Sequence, residues 1–159
     1  MTGQVYGPKP TSKPMPSTPE RAKEATIALL RTASVVKRSF EALMHQHGIT
    51  LQQFNVLRIL RGAGETLPTM EVAARMIEPE PGITRLIGRL EKKKLVTRCR
   101  CKEDSRRMLC AITPQGLKVL AGLDDPLVAL EAQLLGSMPD KDLDDLITLL
   151  ERARRHVDG

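Results

Sequence analysis

Residues 83–107 constrain the chain most. They read Ile-Thr-Arg-Leu-Ile-Gly-Arg-Leu-Glu-Lys-Lys-Lys-Leu-Val-Thr-Arg-Cys-Arg-Cys-Lys-Glu-Asp-Ser-Arg-Arg. Ile83, Leu86, Ile87 and Leu90 recur at i, i+3, i+4 and i+7, which predicts a helix with one apolar stripe. Thr84, Arg85, Arg89 and Lys92 fall off that stripe. Beyond them the period changes. Leu95 to Lys102 and Arg107 to Ile112 read as the strands of a hairpin around Asp104-Ser105. A helix with a cationic outer face, joined to an Arg-tipped hairpin, can grip duplex nucleic acid in two places.

The charge distribution agrees. The 159-residue chain carries a net charge of +6. Residues 58–107 hold 13 Lys/Arg against 7 Asp/Glu, so this one segment contains the whole excess. Such a concentration suits phosphate neutralisation, although a solvated basic face would look the same by charge alone. The length allows one domain with a core plus an association element. No apolar run approaches membrane-spanning length, and the N-terminus lacks a signal-peptide pattern. A soluble cytoplasmic protein, without a membrane partner, is the expectation.

Four segments are expected: a Pro-rich flexible arm at 1–19, an N-terminal dimerisation helix at 20–47, a DNA-binding unit at 48–113 and C-terminal dimerisation helices at 114–159. The first helix runs from Glu20 to about Gln46 and ends at His47-Gly48. Thr50 is the expected N-cap of a second helix, ended by Gly62 and Gly64. Leu67-Pro68-Thr69 should open a third, with Thr69 as its cap. The turn at Pro79, Pro81 and Gly82 joins it to the helix at 83, completing a helix-turn-helix. Thr113-Pro114 starts a long helix that Pro126 should kink or interrupt, and a last helix spans about Asp140 to His156. The fold expected is mainly α with a small β-hairpin wing, a winged helix-turn-helix. The first helix and the last two are more apolar than a small core can use, which points to a homodimer joined through its termini.

In the expected hairpin register Cys99 faces Cys110 and Cys101 faces Met108. Leu95, Cys99, Cys101, Met108, Cys110 and Ile112 then share one face, with Val96, Arg98 and Arg100 on the other. A slip of one residue would exchange the faces. Cys99, Cys101 and Cys110 are candidate redox residues, but small apolar packing is the simpler reading. The odd cysteine count argues against a disulfide framework, and Cys-x-Cys without a nearby His argues weakly for zinc. No metal or cofactor is expected. His45 and His47 diverge on a helix and His156 lies near the end, so none of them suggests chelation.

From Ile49 to about Leu150 the chain resembles the MarR family of bacterial regulators. The resemblance rests on Gly48-Ile49-Thr50, Ile83-Thr84-Arg85-Leu86, Leu90-Glu91, Leu95-Val96, Asp104-Ser105-Arg106-Arg107 and Ile112-Thr113-Pro114-Gln115-Gly116, in that order. It implies a winged helix-turn-helix homodimer on pseudo-palindromic double-stranded DNA, usually a repressor released by a small aromatic or phenolic acid or by an oxidant. Two departures stand out. Lys94 occupies a position where the family usually has Gly, a residue suited to a left-handed helix end. Glu78 and Glu80 sit at the mouth of the recognition helix, where they would repel phosphates if they faced DNA.

Thr84, Arg85, Arg89 and Lys92 are therefore the candidate recognition-helix contacts, because Arg can bond guanine bidentately. In the wing, Arg106 is the candidate for the minor groove. Asp104 should orient it through a charge-assisted bond. Arg98, Arg100, Lys102 and Arg107 are candidate phosphate contacts. Met44, His45, Phe54 and Arg58 are candidate linings of an effector pocket. A ligand-responsive repressor leads the competing readings. The others are a Cys-based redox regulator and a DNA-binding protein controlled by protein partners. No nucleophile–base pair, phosphate loop or metal cluster supports an enzyme.

Overall fold

The computed structural model describes residues 18–157; the expected Pro-rich arm lies almost wholly outside them. The elements are α1 (Thr18–Gln46), α2 (Leu51–Ala63), β1 (Leu67–Pro68), α3 (Thr69–Ala74), α4 (Ile83–Lys92), β2 (Val96–Arg100), β3 (Met108–Ile112), α5 (Pro114–Leu135) and α6 (Asp140–Val157). The described residues fall into two units, 18–35 and 36–157. In the first, residues 18–35 are helical and exposed throughout. The second holds the core.

Helix α2 is the hub of that core. Phe54, Val56, Leu57, Ile59 and Leu60 are buried on successive sides of it, and it packs against α3, α4, α5 and β3. Its start follows from local chemistry. Thr50 accepts a hydrogen bond from the Gln53 N–H (3.1 Å), and the Gln53 side chain accepts one from the Thr50 N–H (3.2 Å), a complete capping box. Its end is set by Gly64 at φ 68°, a left-handed conformation that glycine adopts without steric cost. Gly62, expected to help end the helix, lies inside it.

Leu67 and Pro68 form a two-residue strand instead of opening a helix. They pair with Cys110 and Leu109 at the edge of an antiparallel sheet ordered β1-β3-β2. A two-residue strand has no period to read, and proline is tolerated there because an edge strand need not donate. Thr69 is therefore not a cap. It begins α3, and its hydroxyl donates to the Met108 carbonyl (3.2 Å), tying α3 to the sheet. Helix α5 continues unbroken through Pro126.

The hairpin register differs from the expected one by one residue. The partners are Val96↔Ile112, Arg98↔Cys110 and Arg100↔Met108 on one face, with Thr97↔Ala111 and Cys99↔Leu109 on the other. Val96 and Cys110 are buried, whereas Thr97 and Cys99 are exposed. The turn explains the slip. The Cys101 N–H donates to the Arg107 carbonyl, which leaves an odd-numbered loop centred on Asp104 alone rather than on Asp104-Ser105. An odd loop shifts the pairing by one and exchanges the faces.

Helix α4 ends in a Schellman arrangement. The Leu95 N–H reaches the Leu90 carbonyl (3.0 Å) and the Lys94 N–H reaches Glu91 (2.8 Å). Lys94 sits at φ 60°, the one non-glycine positive φ among the described residues. This left-handed conformation costs an L-residue about 1–2 kcal/mol.

Candidate nucleic-acid interface and adjoining cavity

Helices α3 and α4, joined through residues 75–82 and followed by the β2–β3 hairpin, place α4 and the wing side by side. Ile83, Leu86, Ile87 and Leu90 fix α4 to the core, so its opposite face must look outward. On that face Thr84, Arg85, Arg89 and Lys92 are exposed. None of the three cations is held in an ion pair among the described residues. Arg100, Lys102, Arg106 and Arg107 are likewise exposed on the wing. A cleft between α3, α4 and the wing is lined in part by Thr69, Thr84, Arg98, Arg106 and Arg107.

Two sequence expectations about this face need correcting, and the acidic pair beside it has partners. Asp104 does not hold the Arg106 guanidinium. Its Oδ1 accepts the Arg106 backbone N–H (3.0 Å), and its carbonyl accepts the Arg107 N–H (2.9 Å). It shapes the turn and leaves the Arg106 side chain exposed. Arg98 is not a free cation. Its Nε and Nη2 meet Glu91 Oε2 at 2.7 and 2.5 Å, and its guanidinium lies over Gly88. It joins the wing to the recognition helix. Glu78 and Glu80 are also occupied. Glu78 pairs with Lys37 of α1 at 2.7 Å, and Glu80 accepts the Gly82 N–H (3.2 Å). The Glu78 carboxylate holds the Lys37 ammonium above its ordinary pKa.

The base of the wing combines the expected Thr113 cap with contacts that sequence patterns did not reveal. The Thr113 hydroxyl accepts the Gly116 N–H (3.0 Å) and donates to the Lys94 carbonyl (2.7 Å). Lys93 donates to the Gly48 carbonyl (2.7 Å) and to Gln53 Oε1 (3.2 Å), fixing the end of α4 to the α1–α2 junction.

The cysteines separate. Cys110 is buried with its Sγ 3.3 Å from the Leu67 carbonyl, and burial pushes its thiol pKa up. Cys99 is exposed on the opposite face, and Cys101 is half-buried. The shared face expected for Cys99 and Cys110 does not exist.

Away from the cationic face lies a cavity of about 340 Å³. Phe40, Leu51, Phe54, Met76, Ile77 and Leu127 give it apolar walls. Its polar lining is Gln52, Asn55, Arg58, Arg61, Glu78 and Glu131. Of the sequence candidates, Phe54 and Arg58 line it. Met44 is wholly buried in the core and His45 is exposed elsewhere, so neither reaches the lining. Periodicity could not have found Asn55, because the cavity takes residues from α1, α2, α5 and the turn after α3.

A helix-turn-helix packed on a three-stranded sheet, with exposed cations on its second helix and its hairpin, defines a winged-helix DNA-binding protein. Residues 47–107 match the MarR family. The HTH-type transcriptional regulator FarR of Neisseria gonorrhoeae is 31% identical over 103 residues, 64% of this chain and 70% of that protein. The homoprotocatechuate degradative operon repressor of Escherichia coli is 29% identical over 57% of this chain and 61% of its own length. The crystal structure of a MarR transcription factor from Planctomyces limnophilus is 37% identical, with a TM-score of 0.65, over 81% of this chain and 94% of that one. The chain belongs to the MarR family of DNA-binding transcriptional regulators, which are not enzymes.

Proposed function

We propose that the protein is a homodimeric repressor that leaves a pseudo-palindromic operator when a small aromatic acid enters the cavity. In this reading Thr84, Arg85, Arg89 and Lys92 enter the major groove. Arg106 reaches the minor groove, and Arg100, Lys102 and Arg107 meet phosphates. Repression is favoured by the name of the Escherichia coli relative, a degradative operon repressor. Exposed Leu117, Val128 and Leu135 on α5, and Ile147, Leu149 and Leu150 on α6, favour burial against a second copy. The protein would act in the cytoplasm, where such an operator lies.

One observation carries the ligand response. Met76, Ile77 and Glu78, the residues leading into the recognition helix, are themselves cavity wall. A ligand there presses on the segment that sets where α4 lies. Both phenylalanines of the chain, Phe40 and Phe54, also face this space, which suits a ring. Arg58 stands on the wall without an ion pair among the described residues, available to a carboxylate.

Fluorescence anisotropy of an operator-bound complex, titrated with benzoate and its hydroxylated forms, tests this. The expected outcome is release of DNA at ligand concentrations that also saturate the cavity. Saturation with unchanged DNA affinity would refute the coupling.

A further inference from the structure

Arg98 carries the charge of a phosphate contact in the surroundings of an internal strut. The register sets it opposite Cys110 and on the same sheet face as buried Val96, so its stem starts on the packed side of the wing. Its Nε and Nη2 both meet one Glu91 oxygen, and a Cβ at Gly88 would sit 4.0 Å from both Nη atoms. Thr84, Gly88 and Glu91 stand at i, i+4 and i+7, along one flank of α4. That flank adjoins the wing, because Thr84 and Arg98 line one cleft with Arg106 and Arg107 of the wing tip. Among the described residues no other ion pair joins α4 to the wing. Beyond Arg98 the hairpin runs on to a tip whose cations are exposed, so a small tilt at Arg98 becomes a larger displacement at Arg106.

We infer that Arg98 and Glu91 are a positioning pair: they hold the wing at the angle to α4 from which Arg106 reaches the minor groove while α4 occupies the major groove. The inference rests on the groove placement proposed above and gives a role to two residues which that placement leaves unused. Neither has to touch DNA. A wing held in its bound position loses less freedom on binding, and affinity rises accordingly. Glu91 separates this role from simple electrostatics by sign. If only its charge counted, removing a carboxylate beside the cationic face would tighten DNA binding. As half of the pair, its removal frees the wing and weakens binding.

Anisotropy tests it, with the full chain and the duplex that wild type selects from a random pool. Glu91→Gln should bind that duplex about three- to tenfold more weakly, while still melting cooperatively near wild type. Arg106→Ala should cost less in the Glu91→Gln background than in wild type, by about threefold or more, because a freed wing no longer delivers Arg106. A merely structural pair would not move that second reading. Tighter or unchanged binding by Glu91→Gln would overturn the pair's role and leave the groove placement standing. So would an undiminished cost of Arg106→Ala in that background. If wild type selects no sequence, or Arg106→Ala costs it nothing, the groove placement itself fails and the inference with it. Should Glu91→Gln not fold, Arg98→Gln carries the same cycle with Arg106→Ala, and additive costs there would overturn the pair.

Discussion

The base and the tip of the wing are a few residues apart and built on opposite plans. At the base the Thr113 side chain and the neighbouring backbone are engaged. Thr113 links Lys94 to Gly116, Thr113 N–H meets the Leu95 carbonyl at 3.1 Å, and Val96 and Leu95 are buried. At the tip Lys102, Arg106 and Arg107 are exposed, and one aspartate shapes the turn. The base spends its chemistry on internal order. The tip holds its cations free for something outside the protein. Substitutions should therefore damage folding at the base and recognition at the tip.

The largest stability effect is expected at Gly116. A Cβ there would lie 2.4 Å from the Leu95 carbonyl oxygen and 2.7 Å from Ile112 Cγ1. The first of these is backbone and cannot swing away. Gly116→Ala should cost about 2–3 kcal/mol, read by denaturant unfolding. Arg106→Ala should show the reverse pattern. It should leave stability within about 0.5 kcal/mol and weaken specific DNA binding by roughly 1–3 kcal/mol, read by anisotropy beside a melting curve. A loss of stability at Arg106, or none at Gly116, would break the contrast.

A smaller effect is expected at Lys94. Lys94→Gly should relieve its left-handed backbone and raise stability by about 0.5–1 kcal/mol, after the greater freedom of unfolded glycine is allowed for. A fall in stability would mean that the Lys94 side chain contributes to the base. The smallest change should come from thiol chemistry. Ellman's reagent should label Cys99 promptly in the native protein and Cys110 only on unfolding, because Cys110 is buried with a raised pKa. Prompt labelling of Cys110 would show that the base opens readily.

Much of this molecule can be read from its sequence, for identifiable reasons. The recognition helix has a clean helical period and the wing a run of cations, and both signals are local. Thr50, Thr113 and Pro114 announce helix starts because caps act over three or four residues. What escaped depends on contacts distant in sequence or on the parity of a loop. The register turned on whether the wing tip centres on one residue or two. Strand β1 is too short to carry a period. Arg98 looks like a phosphate ligand until Glu91, seven residues earlier, is seen beside it. Met44 and His45 lie close to α2 in sequence but off the cavity, whose wall is completed by Met76 and Leu127 from elsewhere.

The most direct measurement is anisotropy binding to DNA from upstream of the protein's own gene, with random DNA as control, across a salt series. Wild type should bind the upstream DNA tightly and specifically, with affinity falling steeply as salt rises. Arg85→Ala and Arg106→Ala should each lose much of that preference without unfolding. Equal, weak binding to both DNAs, unchanged by either substitution, would contradict the assignment of α4 and the wing tip as the recognition surface for that site.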